Sequence, residues 1–141
     1  MKTLFKMLTA VIVTACAGSA SAQIAVVVSA KSDVAAMTSD QVAALFLGKS
    51  DKFPAGGKAS LLDQAQGSPV RVSFYEKVAG KNESQVKAVW SRLAFSGTGT
   101  PPKEVANSAE VKKLVAANPN AVGYIEKSAV DASVKVIMTA E

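Results

Sequence analysis

The sequence predicts an α/β fold, a mixed sheet with helices on both faces in the order β-α-β-α-α-α-β-β. Three observations predict it. The run from Ile24 to Ser29 (IAVVVS) is apolar and β-branched without polar alternation, which is the pattern of a strand covered on both faces. Apolar residues then recur at helical spacing in four stretches, each bounded by capping or turn residues. Two further β-branched runs, at 121–125 and 134–138, close the chain. Strands and helices interleaved in this way belong to layered α/β folds.

A leader precedes the first strand. Lys2 and Lys6 give it a positive start, residues 8–17 are apolar, and Ala20-Ser21-Ala22 is a small-x-small cleavage site. The expectation is a signal peptide over 1–22, cleaved after Ala22, with export to the periplasm and a single domain over 23–141. The apolar run is shorter than the ~20 residues that span a membrane. Val13-Thr14-Ala15-Cys16 also resembles a lipobox, so a lipoprotein anchored at Cys16 stays open as the alternative.

The elements follow in order. Residues 24–29 are the first strand. Thr38 caps a helix, with Gln41 three residues on as in a capping box, and Val42, Leu45 and Phe46 form its apolar stripe. Gly48 stops it. Residues 49–58, with Pro54 and Gly56-Gly57, are a loop. Residues 59–63 are a short strand. Ser68 stands at the N-cap of the next helix and Pro69 at its first position; Val70, Phe74 and Val78 follow at helical spacing, and Gly80 ends it. Residues 84–93 are a third helix with Val86, Val89, Trp90 and Leu93 on one face. A Gly/Thr/Pro loop follows over 95–102. Ser108 caps a fourth helix, to residue 117, with Val111, Leu114 and Val115 inward. Spacing places Phe74, Trp90 and Phe95 toward the core.

Composition narrows the function. Without Lys2 and Lys6 the sixteen basic residues become fourteen, against eleven acidic ones, a net charge of +3. This is too weak to argue for nucleic acid. The chain has no histidine, and its one cysteine lies in the leader. Disulfides, Ser-His-Asp triads, thiolate nucleophiles and Cys/His zinc sites are therefore excluded from residues 23–141. No nucleophile–base pair and no metal cluster is visible, so a non-enzyme without cofactor is expected.

The strongest candidate for binding is the turn from Gln66 to Arg71. Gly67 and Ser68 open a helix after a strand, where free N–H groups and the positive end of the helix dipole favour an anion. The Ser68 hydroxyl and the Arg71 guanidinium would add donors and charge. The plainer reading is that Ser68 only caps the helix and Arg71 only solvates it. Ser96-Gly97-Thr98-Gly99-Thr100 is a second hydroxyl- and glycine-rich loop, with Thr98 as its candidate ligand. It lacks the Gly-Lys-Ser/Thr ending of a nucleotide P-loop. Both segments are expected on the C-terminal edge of the strands, with the Thr98 loop over the Gly67-Ser68 turn. Among the carboxylates, Asp63 alone sits at a strand end beside the candidate turn.

These residues together resemble the phosphate-type periplasmic binding proteins of ABC importers. Thr38 to Gly48 (TSDQVAALFLG) is similar to the family's helix ending in Phe-x-Gly. Gly67-Ser68 with the later Phe74 resembles its Gly-Ser-Gly-Thr opening, and Ala121-Val122-Gly123-Tyr124-Ile125 its Gly-Tyr strand. The resemblance implies one lobe of a fold that normally has two. It implies phosphate or a related oxyanion as ligand, held by Gly67, Ser68, Arg71 and Thr98, and an inner-membrane permease or other envelope protein as partner. A homodimer would rebuild a two-sided cleft. The chain departs from the family at Gln64, where an arginine is usual, and at Pro69-Val70, where Gly-Thr is usual. Pro69 also removes one N–H donor. The alternative reading is an envelope interaction module that keeps the fold and has lost tight ligand binding.

Overall fold

The computed structural model describes residues 23–54 and 56–140. The leader, with its cleavage site and Cys16, lies outside the described residues. Five strands, β1 (Ile24–Ser29), β2 (Ser60–Gln64), β3 (Lys103–Val105), β4 (Ala121–Glu126) and β5 (Val134–Ala140), form one sheet in the order β3-β2-β4-β1-β5. β2 runs parallel to β3 and β4, whereas β1 runs antiparallel to β4 and β5. The helices are α1 (Ser39–Phe46), α2 (Pro69–Phe74, prolonged by a wide π turn over Tyr75–Ala79), α3 (Glu83–Phe95) and α4 (Ser108–Ala117). None of them is long and apolar enough to cross a membrane.

β1 organises the core. Successive side chains on a strand point to opposite faces. Ile24, Val26 and Val28 join a core shared with α1, α2 and α3, while Ala25 and Val27 join a second core under α4. All five are fully buried, which explains the unbroken apolar run in the sequence. The larger core is built on rings. Phe74 stacks on Tyr124 with 4.0 Å between centroids, and Phe46 meets both edge-on at 4.8 and 5.8 Å. Such pairs add ~0.5–1.5 kcal/mol beyond their buried area.

Local capping sets where the helices start. Thr38 Oγ1 accepts from the Gln41 N–H at 3.2 Å, and Gln41 Oε1 accepts from the Thr38 N–H at 2.9 Å, the expected capping box. Asn82 and Gln85 form a second one, so α3 starts earlier than its apolar spacing suggests. Asn107, not Ser108, caps α4, accepting from the Glu110 N–H. At its other end α1 is seated on α3. Trp90 Nε1–H donates to the Phe46 carbonyl at 2.9 Å, one of the carbonyls a helix end leaves without a partner. Gly48 then turns away with φ +73°, and a Cβ there would lie 2.3 Å from Leu93 Cδ1.

Two expectations are corrected. The expected order lacked β3, which adds a parallel edge strand beside β2. Three residues are too few to show a period. Phe95 was expected in the core and is 96% exposed. It lies nine residues from Val86 and five from Trp90, and at 3.6 residues per turn this puts it on the far side of the helix.

α4 crosses β4 at Gly123, where a Cβ would come within 2.5 Å of Val111 Cγ1. Gly123→Ala should therefore destabilise the protein by ~1–3 kcal/mol in urea unfolding, as overpacking does. Val111→Ala in the same chain should recover part of that loss through direct coupling. An unchanged midpoint in the single variant would show that α4 shifts aside freely.

Candidate functional site

β2 and β4 pair only through Ser60–Ala121 and Leu61–Val122, and then diverge. The opening between them is stitched by the Gln64 side chain. Its Nε2 donates to the Tyr124 carbonyl and to Ser108 Oγ, each at 3.1 Å. Asp63, one residue earlier, points to the opposite face. There it accepts from the Tyr75 hydroxyl at 2.6 Å, from the Tyr124 hydroxyl, and from the Gln64 N–H at 2.8 Å. Burial and the neighbouring Asp63 carboxylate push both phenols well above their ordinary pKa, so they remain donors.

After Gln64 the chain turns into α2. Gly67 takes φ +82°, a left-handed conformation that suits glycine. Ser68 occupies the N-cap position with Pro69 next, as expected. Its hydroxyl does not cap the helix and instead donates to Gln64 Oε1 at 3.3 Å.

Arg71, 5% exposed, sits under this turn. Its Nη1 donates to the Gln64 carbonyl at 3.0 Å and to Glu104 Oε1 at 2.9 Å, and stands 3.4 Å from Asp63 Oδ2. Its Nε faces Glu83 Oε1 at 3.1 Å, too poorly aligned to form a hydrogen bond. The Gly67 N–H also points at Glu83, at 3.4 and 3.3 Å from the two carboxylate oxygens. The turn thus faces a carboxylate belonging to the protein, supplied by the first residue of α3. One guanidinium faces three carboxylates, those of Asp63, Glu83 and Glu104.

The structure brings Gly67, Ser68 and Arg71 together and places Thr98 elsewhere. Glu83 touches the turn, and the thirteen residues of α3 carry the chain away from it, ~20 Å at 1.5 Å per residue. The Thr98 loop then precedes β3. Because β3 is parallel to β2, the loop lies at the N-terminal ends of these strands, beside Ser60 and Ala121. The expected closure of this loop over the Gly67-Ser68 turn does not occur. Thr98 Oγ1 instead pairs locally with Ser96 Oγ at 2.8 Å.

Sequence reasoning missed Glu83, Glu104 and the two tyrosines. One signal for them was present. Arg71, Phe74, Tyr75 and Val78 are spaced i, i+3, i+4, i+7, which puts the arginine on the buried side of its helix. A buried arginine requires carboxylate partners.

No protein-family model matches the sequence, and no curated protein matches it. Several solved structures do. One is a protein designated a phosphate ABC transporter substrate-binding protein, with bound phosphate, from Clostridium perfringens. It is 25% identical with a TM-score of 0.67, covering 82% of this chain and 45% of that one. An ABC-type phosphate transport receptor from Vibrio cholerae is 23% identical with a TM-score of 0.64, covering 83% and 46%. PstS from Borrelia burgdorferi is 14% identical with a TM-score of 0.61, covering 82% and 47%. The chain carries the fold of a phosphate-type substrate-binding lobe and spans less than half the length of these structures.

Burial raises the Asp63 carboxyl above its ordinary value of 3.8, against the Tyr124 and Tyr75 hydroxyls, Arg71 and the Gln64 N–H, which act to lower it. The folded protein then holds that proton more tightly than the unfolded chain. Its contribution to stability is fully present below the unfolded value and declines as pH rises from there through the raised native one. Asp63→Asn lacks this proton. The difference in unfolding free energy, wild type minus Asp63→Asn, should fall as pH rises upward from 3.8. A difference that grows with pH would mean that Arg71 and the phenols outweigh burial.

Proposed function

We propose that this chain is an exported, non-enzymatic solute-binding-like protein built on a single lobe, with its oxyanion turn held by its own Glu83. The observation that carries the proposal is the contact of one carboxylate with both the Gly67 N–H, at 3.3 Å, and Arg71 Nε, at 3.1 Å. A carboxylate oxygen there takes the place that an oxygen of phosphate or a related oxyanion would take. The fold of the lobe supports a solute-binding role, and an ABC permease in the inner membrane would be the receiving partner. The leader would deliver the protein to the periplasm, either cleaved after Ala22 or anchored at Cys16.

In this reading Gly67, Ser68 and Arg71 bind the oxyanion, and Thr98 has no part in it. The ligand enters by displacing Glu83, whose side chain is 31% exposed and so free to swing into solvent. Binding is consequently weak, because the ligand must displace the Glu83 contacts to Gly67 and Arg71. A second reading, an envelope interaction module without tight ligand binding, is favoured by the charge count. Three carboxylates around one arginine repel an incoming anion.

Thermal unfolding of wild type and Glu83→Gln, with millimolar phosphate or sulfate at matched ionic strength, separates the two readings. Ligand at 100 times its dissociation constant stabilises a folded protein by ~2.7 kcal/mol. Glu83→Gln should show the larger phosphate-specific shift, lost again when Ser68→Ala is added. A full shift in wild type that Glu83→Gln weakens would show that Glu83 supports the ligand instead of standing in for it. No shift in either protein would leave the interaction module as the function.

A further inference from the structure

Where β2 and β3 begin lies an open groove of about 890 Å³, between the end of α1, the start of β2 and the Thr98 loop; it shares Trp90 and Pro101-Pro102 with the smaller pocket over Arg71. Its volume lies in the range of sites for sizeable ligands and is far larger than one inorganic oxyanion needs. Its rim is basic. Lys49, Lys58 and Lys103 come from three separate stretches of chain and line it together with a single acid, Asp51. Among the described residues none of these lysines pairs with a carboxylate, whereas Lys112 pairs with Asp131 at 2.9 Å. The groove is also partly apolar, with Leu61 and the edge of Trp90 in its wall.

We propose that this groove docks an acidic segment of a partner protein. Its side-chain carboxylates meet Lys49, Lys58 and Lys103, and its apolar side chains meet Leu61 and Trp90. Charge complementarity selects this occupant. Unpaired cations converging on an apolar wall favour a chain that offers both carboxylates and apolar groups. A basic or neutral segment would gain nothing from the rim. This site is separate from the turn at Gly67 and stands whether or not that turn binds an oxyanion.

The test is fluorescence anisotropy of a short fluorescein-labelled peptide of alternating Glu and Leu, titrated with the protein. The same peptide with Lys in place of Glu is the control. The acidic peptide should bind, with an affinity that falls as salt rises. Lys58→Glu combined with Lys103→Glu should weaken binding by about tenfold or more, since each attraction becomes a repulsion. The same acidic peptide with Ser in place of Leu should bind more weakly, because Leu61 and Trp90 then have no apolar partner. Both lysines are exposed, so circular dichroism and the thermal midpoint should stay at wild-type values. The proposal fails if the acidic peptide does not bind, if the basic peptide binds as well, or if charge reversal changes nothing. It also fails if sedimentation shows self-association that the same lysine reversals abolish, which would assign the groove to a second copy of the chain.

Discussion

A single guanidinium joins four pieces of this fold. Arg71 rises from α2 and reaches Asp63 and the Gln64 carbonyl on β2, Glu83 on α3 and Glu104 on β3. Among the described residues Asp63 and Arg71 are the buried charges. Neither is stable there alone, because a lone ion in a protein interior keeps its full desolvation penalty. A buried pair of this type adds little net stability yet is expensive to break. Its effect is therefore on geometry. It fixes how α2 enters the sheet, where α3 begins and where the edge strand β3 lies. The aromatic cluster then packs around it, with Tyr75 and Tyr124 completing the coordination of Asp63 by their hydroxyls while their rings fill the core.

The same arrangement determines how the turn at Gly67 behaves. An N–H and a guanidinium beside the sheet edge need a partner at all times, and water or a protein carboxylate must supply it. Glu83 does so from the first residue of α3. The two ends of the parallel strands differ in sign as a result. Around Arg71 carboxylates outnumber the cation, while among the described residues no carboxylate pairs with the lysines where β2 and β3 begin. A mild overall charge of +3 for residues 23–141 conceals this separation.

Most of the fold was legible in the sequence because its signals are local. The uninterrupted apolar run gave β1 as a strand covered on both faces. Thr38 with Gln41, and Ser68 with Pro69, gave helix starts correct to within a residue. Gly48 and Gly80 gave stops. What stayed hidden is non-local. β3 is three residues long and exists because β2 offers it an edge. Glu83 and Glu104 lie twelve and thirty-three residues from Arg71, and no periodicity links them. The position of Thr98 depends on the direction of β3, so omitting that strand moved the loop to the wrong end of the sheet. Of the candidate site, Gly67, Ser68 and Arg71 were found as neighbours, and the partners that fill the space around them were not.

The seat of α1 on α3 has an optical consequence. Trp90 is the sole tryptophan of the chain. Its indole is 9% exposed, bonded to the Phe46 carbonyl, and in reach of both Gly48 and Gly99. All tryptophan emission from this protein therefore originates at one seam, where a helix end, a second helix and the Thr98 loop meet. Loosening of that seam exposes the ring to water and shifts the emission to the red, even while the sheet beneath is intact. The protein carries a built-in chromophore that reads one joint, at the wall of the pocket it shares with the buried arginine.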